Sequence, residues 1–338
     1  MLRLAFDVLD LKTRHPFTIA RGSTAACRTV RVRLVDADGV EGWGEAAPSR
    51  YYGETADTVV AALGRLAPAL PGDPSDLEAA DAALLRASPA DAAARAAVSA
   101  ALHDLAGKRL GAPLWKLWGL DPARAPLSSF TIGLDAPAAV QAKVREAAAF
   151  PVLKIKVGTP DDAAVLRAVR EVTDKPLRVD ANAGWTVQEA LAHLPLLEEM
   201  RVEMIEQPVA PGDLEGLAAV HRASRIPIVA DEACRTSADI PRLAGAVDGI
   251  SIKLAKCGSL LEALRMVAAA RRHGLSLMVG CMIETSLGIT AAAHLAPLLD
   301  LADLDGAALL ERDPFVGATI EGGRIALPAA PGLGVTAR

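Results

Sequence analysis

VLKIKVG, residues 152–158, is the stretch on which the fold turns. Leu153, Ile155 and Val157 alternate with Lys154 and Lys156. Successive side chains of a strand point to opposite faces, so the three apolar residues share one face and the two lysines the other. On a surface edge strand K-x-K would mean little. The surrounding sequence removes that reading, because strand-like runs recur with helical stretches between them. They are SSFTIGL (128–134), PLRVDANAG (176–184), VEMIEQP (202–208), PIVADEA (227–233), GISIKLAKCG (249–258), LSLMVGCMIE (275–284) and ADLDGAAL (302–309). Eight strands separated by helices make a parallel sheet, whose closed form is a barrel. Strands of this kind have no solvent face. Their apolar residues pack against outer helices, and the lysines look into the barrel mouth.

The polar residues keep the period of that fold. Lys156, Asp180, Glu206, Asp231 and Lys253 lie 24, 26, 25 and 22 residues apart by their numbers. A compact barrel of roughly 200–250 residues allots about 25–30 residues to each βα unit. One polar residue therefore falls at the C-terminal end of each successive strand, the end where such barrels place their chemistry.

The flanks differ. TVRVRLVDADGVEGWGEA (29–46) alternates apolar and polar residues around Asp38-Gly39, a hairpin pattern. From Thr55 the chain turns helical and Ala-rich. Pro89 to Leu110 reads as the clearest helix, with Val98, Leu102 and Leu105 on one face and Gly111 as its stop. His103 lies in it and reads as a packing residue. The division expected is a capping domain over 1–115, a barrel over 116–314, and a Gly/Pro-rich tail, 315–338, returning to the cap.

Composition narrows the function. The 338 residues are 51% hydrophobic but only 3% aromatic, so Ala, Leu, Val and Ile build the core. A net charge of −5 offers no basic footprint for nucleic acid. Cys27, Cys234, Cys257 and Cys281 form no C-x-x-C pair and suit reduced thiols. The N-terminus carries Asp7 and Asp10 in place of a continuous apolar signal core, and no apolar run reaches the roughly 18–20 residues that span a bilayer. A cytoplasmic protein acting on a small molecule is expected, away from membranes, with a homo-oligomer left open. No P-loop, nucleophile elbow or H-E-x-x-H motif occurs.

Asp180, Glu206 and Asp231 end three successive strands, and a barrel brings neighbouring strand ends together. Three anions so close require a cation between them, and hard carboxylate oxygens suit Mg²⁺. Lys156, on the second strand, and Lys253, on the sixth, face each other across the barrel. A lysine desolvated near cations has a lowered pKa and serves as a base. Two on opposite sides allow one to take a proton while the other returns one, which inverts a stereocentre. None of the six histidines falls at these strand ends. A different class, a Schiff-base aldolase, would use one strand-end lysine and no metal. A non-catalytic binding protein has no use for the full acid–base set.

In order and spacing, K-I-K, V-D-A-N, E-Q-P, D-E and I-K-L-A-K-C-G resemble the enolase superfamily, muconate-lactonizing subgroup. ALHDLAGKRLGAPLWKLWGL (101–120) resembles the subgroup's link into its barrel. The resemblance implies an α/β fold, a modified TIM barrel (β/α)₇β with an α+β N-terminal capping domain completed by the C-terminal tail. It implies Mg²⁺ on Asp180, Glu206 and Asp231, an acid/base pair in Lys156 and Lys253, and Lys154 assisting at the substrate carboxylate. Asp303-Leu304-Asp305 resembles the D-x-D with which dipeptide epimerases of the L-Ala-D/L-Glu type hold a free ammonium. TIARGS (18–23) and SRYYGET (49–55) look like members acting on murein-derived Ala-Glu. Arg21, Arg50 and Tyr51 are then candidates for the distal carboxylate, and Thr131 and Cys281, with Met282 and Glu284 adjacent, for the substrate lining. The activity implied is that of an isomerase: two-lysine 1,1-proton transfer at the α-carbon of a dipeptide's C-terminal residue through an enediolate. N-acylamino-acid racemisation, o-succinylbenzoate synthesis and cycloisomerisation are the alternatives within the subgroup.

Overall fold

The computed structural model describes residues 2–338. Strands β1 (Arg3–Ile19), β2 (Gly22–Val35) and β3 (Glu41–Ala46) form an antiparallel sheet. Val30, Val32 and Leu34 of β2 are buried while Arg31 and Arg33 alternate with them on the wetter face. The hairpin expected at Asp38-Gly39 joins β2 to β3.

Against this sheet lies the helix Ala92–Leu110, which ends at Gly111 as expected. It is less one-sided than its sequence suggests, being buried on nearly every face. Gly42 and Gly44 explain the close fit. A Cβ at either position would stand 2.0 Å from a helix carbonyl, Ala101 O or Ala97 O respectively. Alanines on the helix and glycines on the strand thus let two backbones touch. Ser99 Oγ on the far side accepts a hydrogen bond from Leu260 N at 3.2 Å, so the barrel claims that face. His103 is buried and bonds Ser99 O at 2.8 Å, a packing role.

All eight expected barrel strands form. They are β4 (Phe130–Ile132), β5 (Leu153–Lys156), β6 (Leu177–Asp180), β7 (Val202–Glu206), β8 (Ile228–Ala230), β9 (Gly249–Ile252), β10 (Ser276–Gly280) and β11 (Leu301–Asp303), parallel and in sequence order. A parallel Ser128–Ala302 bridge brings the two ends of the sheet together. Helices fill the seven intervals, and only a 3₁₀ turn, Gly306–Leu309, follows β11. The architecture is (β/α)₇β. Leu153, Ile155 and Val157 join the core between strands and helices, while Lys154 and Lys156 point inward.

The tail joins both parts. Leu333 N donates to Asp104 Oδ1 of the cap helix at 2.7 Å, and the Phe315 ring meets Trp43 at 6.0 Å. Its apolar residues Phe315, Leu333 and Val335 belong to the barrel core. It adds no strand to the three-stranded sheet. Among the described residues no helix is long and apolar enough to cross a membrane.

His294 fastens this junction. Its Nδ1 accepts from Trp115 N at 3.2 Å, and its Nε2 reaches Leu333 O at 3.2 Å, a pattern only the neutral ring satisfies. Burial pushes its pKa down to about 4, against the Leu333 carbonyl, which raises it. The unfolded ring titrates near 6.5, so below that pH the unfolded chain gains a proton that the folded chain refuses. Stability is therefore lost as pH falls from about 6.5 to 4, by roughly 3 kcal/mol from this residue. Urea unfolding across that window should show a flatter pH slope for His294→Gln than for wild type; equal slopes would dismiss the junction as a pH-sensitive element.

Candidate active site

Lys156 ends β5, Asp180 ends β6 and Glu206 ends β7, while Asp231 and Lys253 immediately follow β8 and β9. All five are buried at one end of the barrel. Lys156 and Lys253 stand four strands apart in a ring of eight, hence on opposite sides. The space is shaped for Lys253, since a Cβ at Gly280 would fall 2.8 Å from its Cε.

The charges interleave. Lys156 Nζ donates to Asp180 Oδ2 at 2.6 Å, and Lys253 Nζ to Asp231 Oδ2 at 2.8 Å. Lys154, 1% exposed, is enclosed by Asp303 (2.6 Å), Glu206 (2.6 Å) and Asp180 (3.0 Å). The sequence suggested three anions converging on one point. Among the described residues no three His, Cys, Asp or Glu side chains are so grouped, because ammonium groups stand between the carboxylates and relieve their repulsion.

Glu206 differs in how it is held. Its Oε2 forms an ion pair with Lys154 at 2.6 Å, yet neither of its buried oxygens takes a hydrogen bond. Burial and then the Asp180 charge push its carboxyl up to about 7. One oxygen each of Glu232 and Asn182 is likewise buried and unbonded. Buried carboxylate and amide oxygens without hydrogen bonds, beside two further carboxylates, fit a hard divalent cation. Asp180 and Asp231 are also buried, but their lysines hold them below the usual carboxylate range.

Without a cation in place, the carboxylates around these lysines set the direction of their pKa. Burial favours the neutral form of Lys253, but Asp231 and Glu206 outweigh it and raise the pKa; Lys154 is raised likewise by Asp303, Glu206 and Asp180.

Asp303 and Asp305 come together across from these groups. Asp303 accepts from Lys154 at 2.6 Å and from Ser129 Oγ at 2.9 Å; Asp305 accepts from Thr131 N at 2.6 Å. Both are buried, and Asp305 is pushed up to about 7 by burial and by Asp303. Cys281 borders the pair, its thiol raised by burial and by both aspartates. Met282 packs toward the cap core, and Glu284, raised to about 8 by burial and by Glu45, accepts from Met282 N at 3.1 Å.

Arg21 reaches the same mouth from the tip of the β1–β2 ribbon. It pairs with Glu232 at 2.8 Å, stacks 4.3 Å from the Tyr51 ring and donates to Asn182 O. Arg50 does not join them. It sits exposed in the single turn Arg50–Tyr52, and no side-chain hydrogen bond or ion pair links it to the group.

Several neighbours escaped the sequence reading. Asn182 and Glu232 stand inside the quoted V-D-A-N and D-E motifs, and Lys256 inside I-K-L-A-K-C-G, so their signal was adjacency. Glu45 of β3 had none. It reaches from the cap to bond Thr285 N, Thr285 Oγ1 and Gly288 N, bracing the segment that carries Cys281 and Glu284.

Residues 137–338 match the model described as Enolase C-terminal domain-like, and residues 4–119 the Mandelate racemase / muconate lactonizing enzyme, N-terminal domain. The chain belongs to the enolase superfamily. Within the superfamily it is 42% identical over 336 residues to an L-Ala-D/L-Glu epimerase of Bacteroides thetaiotaomicron, covering 99% of this chain and 88% of that one. It is 39% identical to a hydrophobic dipeptide epimerase of Roseobacter litoralis, covering 98% of each chain. Among solved structures it resembles a dipeptide epimerase from Cytophaga hutchinsonii complexed with Mg and D-Ala-L-Val, with TM-score 0.95 and 30% identity over 99% of this chain and 95% of that one.

Proposed function

We propose that this superfamily member is a cytoplasmic, magnesium-dependent dipeptide epimerase of the L-Ala-D/L-Glu type. The observation that carries the substrate class is the buried Asp303–Asp305 pair. Lys154 reaches Asp303 but is shared with Glu206 and Asp180, and Asp305 is pushed up to about 7, so the pair has room for one more cation. The free ammonium of a dipeptide is such a cation.

In this reading Thr131 fixes Asp305 through its backbone N–H, and the aspartates seat the N-terminal residue. Asp180, Glu206 and Asp231 would hold Mg²⁺, which when bound would supply positive charge beside the substrate carboxylate. Lys154, beside two of them, aids the substrate carboxylate. Lys156 and Lys253 flank the α-carbon, and whichever is neutral takes its proton while the other, protonated, delivers one to the opposite face. Arg21, stacked on Tyr51, supports an acidic distal side chain; Arg50 is not needed. Four free cysteines suit a reducing compartment.

Asp305→Asn should cut kcat/KM for L-Ala-L-Glu by about tenfold to a hundredfold, the loss of one charged hydrogen bond. Wild type should discriminate against the N-acetylated dipeptide, and the variant should narrow that gap. Because Asp305 titrates at about 7, wild-type kcat/KM should also lose a contribution as pH falls through that value, and the variant should lack it. Equal use of acetylated and free dipeptides by wild type would instead indicate N-acylamino-acid racemisation.

A further inference from the structure

We propose that Lys256 is a positioning residue for the acid–base centre, acting on Lys253 through Asp231. It lies in the short turn Leu254–Cys257 that follows β9 and is only 2% exposed. Its ammonium donates to Asp231 Oδ1 at 2.5 Å, Asp231 O at 2.6 Å, Ser251 O at 2.9 Å and Cys234 O at 3.1 Å. Three N–H groups facing four acceptors leave nothing to offer a substrate, so Lys256 works through what it holds.

What it holds is the orientation of one carboxylate. Asp231 Oδ1 is taken by Lys256 and Oδ2 by Lys253. Lys256 ties Oδ1 to the residue's own backbone carbonyl, which restrains rotation of the carboxylate and keeps Oδ2 directed toward Lys253. Lys256 also ties the chain after β8, through Asp231 and Cys234, to the backbone of β9, through Ser251. These are the two elements between which the Lys253 amine is suspended. The other base is held separately: Lys156 bonds Asp180 on the neighbouring strand, and Asp180 is fixed by Asn182 N at 2.8 Å and by Lys154 at 3.0 Å, with no hydrogen bond from Lys256. A lysine that merely filled the core would affect both halves of the reaction equally. One that positions Asp231 acts on the Lys253 half.

The inference rests on the two-lysine epimerase reading and is tested so that the two can fail separately. Lys256→Met keeps the length of the side chain and removes its donors. Exchange of the α-proton in D₂O is followed on L-Ala-L-Glu and L-Ala-D-Glu separately, with MgCl₂, and Mg²⁺ binding is measured by calorimetry. The epimer facing Lys253 is identified as the one that stops exchanging in Lys253→Ala. Its exchange should fall at least about tenfold further than that of the other epimer, and Mg²⁺ should bind about 10- to 100-fold more weakly, the usual effect of losing a group that orients a ligand. Lys256→Gln, which keeps two N–H groups, should recover part of both losses. Equal losses on the two epimers overturn the proposal. So does tighter Mg²⁺ binding, which removal of a nearby positive charge alone would produce. Failure of both variants to fold assigns Lys256 to structure alone. If wild type exchanges neither epimer, the epimerase reading falls and takes this inference with it.

Discussion

Lys253→Ala and Lys156→Ala should each abolish epimerisation, because inversion needs an acid on one side of the α-carbon and a base on the other. A positioned general acid or base is worth on the order of 10²- to 10⁴-fold, and either change should lower kcat by at least that much. The two variants should not be equivalent. Each keeps one lysine, so each should still exchange the α-proton of a single epimer, and the two should divide the epimers between them. That division follows from Lys156 and Lys253 standing four strands apart in the ring. Folding should survive, although Asp180 and Asp231 each lose an ammonium partner, because Lys154 and Lys256 remain beside them. Near wild-type epimerisation by both variants would end the two-base account.

Glu206→Gln should be the cleanest test of the metal. Its oxygens have no hydrogen bond to lose, its ion pair with Lys154 leaves that lysine still paired with Asp303 and Asp180, and burial already disfavours its charge, with its carboxyl up at about 7. The metal-free variant should therefore be no less stable than wild type near neutral pH. A group with a folded pKa raised above its unfolded value is destabilising once ionised, and the amide removes that ionisation. Mg²⁺ affinity should fall by more than about a hundredfold, since even groups that only orient a ligand cost 10- to 100-fold. Calorimetry with Mg²⁺ and thermal melts of the metal-free proteins decide it. Asp231→Asn is less clean than its place in the sequence suggests. It would leave Lys253 and Lys256 buried beside a neutral amide, and breaking a buried ion pair costs about 3–5 kcal/mol. Unchanged Mg²⁺ affinity in Glu206→Gln would remove it from the metal site.

The barrel was legible because its signals are local and periodic. Leu153, Ile155 and Val157 alternate with two lysines, and polar residues recur at the length of one βα unit, so strand, face and end could be read from spacing. Pairing across the mouth was not legible. Nothing in the chain says that Lys154 sits among Asp180, Glu206 and Asp303, since those contacts span up to 149 positions. That Asp180, Glu206 and Asp231 also pair with the inward lysines Lys154, Lys156 and Lys253 could not be read from spacing. The helix Ala92–Leu110 shows the same limit, since alanines small enough to pack anywhere carry no periodic signal of a second buried face. Arg21 and Arg50 could not be told apart because both flank the mouth in sequence, and only the ribbon's path carries Arg21 onto Glu232. Glu45 is remote from every motif, and its bridge from cap to barrel belongs to tertiary structure alone.

The most direct measurement of the whole account is solvent exchange by the wild-type enzyme. A panel of dipeptides, L-Ala-L-Glu among them, is incubated in D₂O with Mg²⁺ and analysed by mass spectrometry and chiral separation. One deuterium should appear at the α-carbon of the C-terminal residue together with inversion there, and excess chelator should stop both. Inversion without deuterium, or deuterium incorporation and inversion that proceed undiminished in chelator, would contradict magnesium-dependent proton transfer between two lysines.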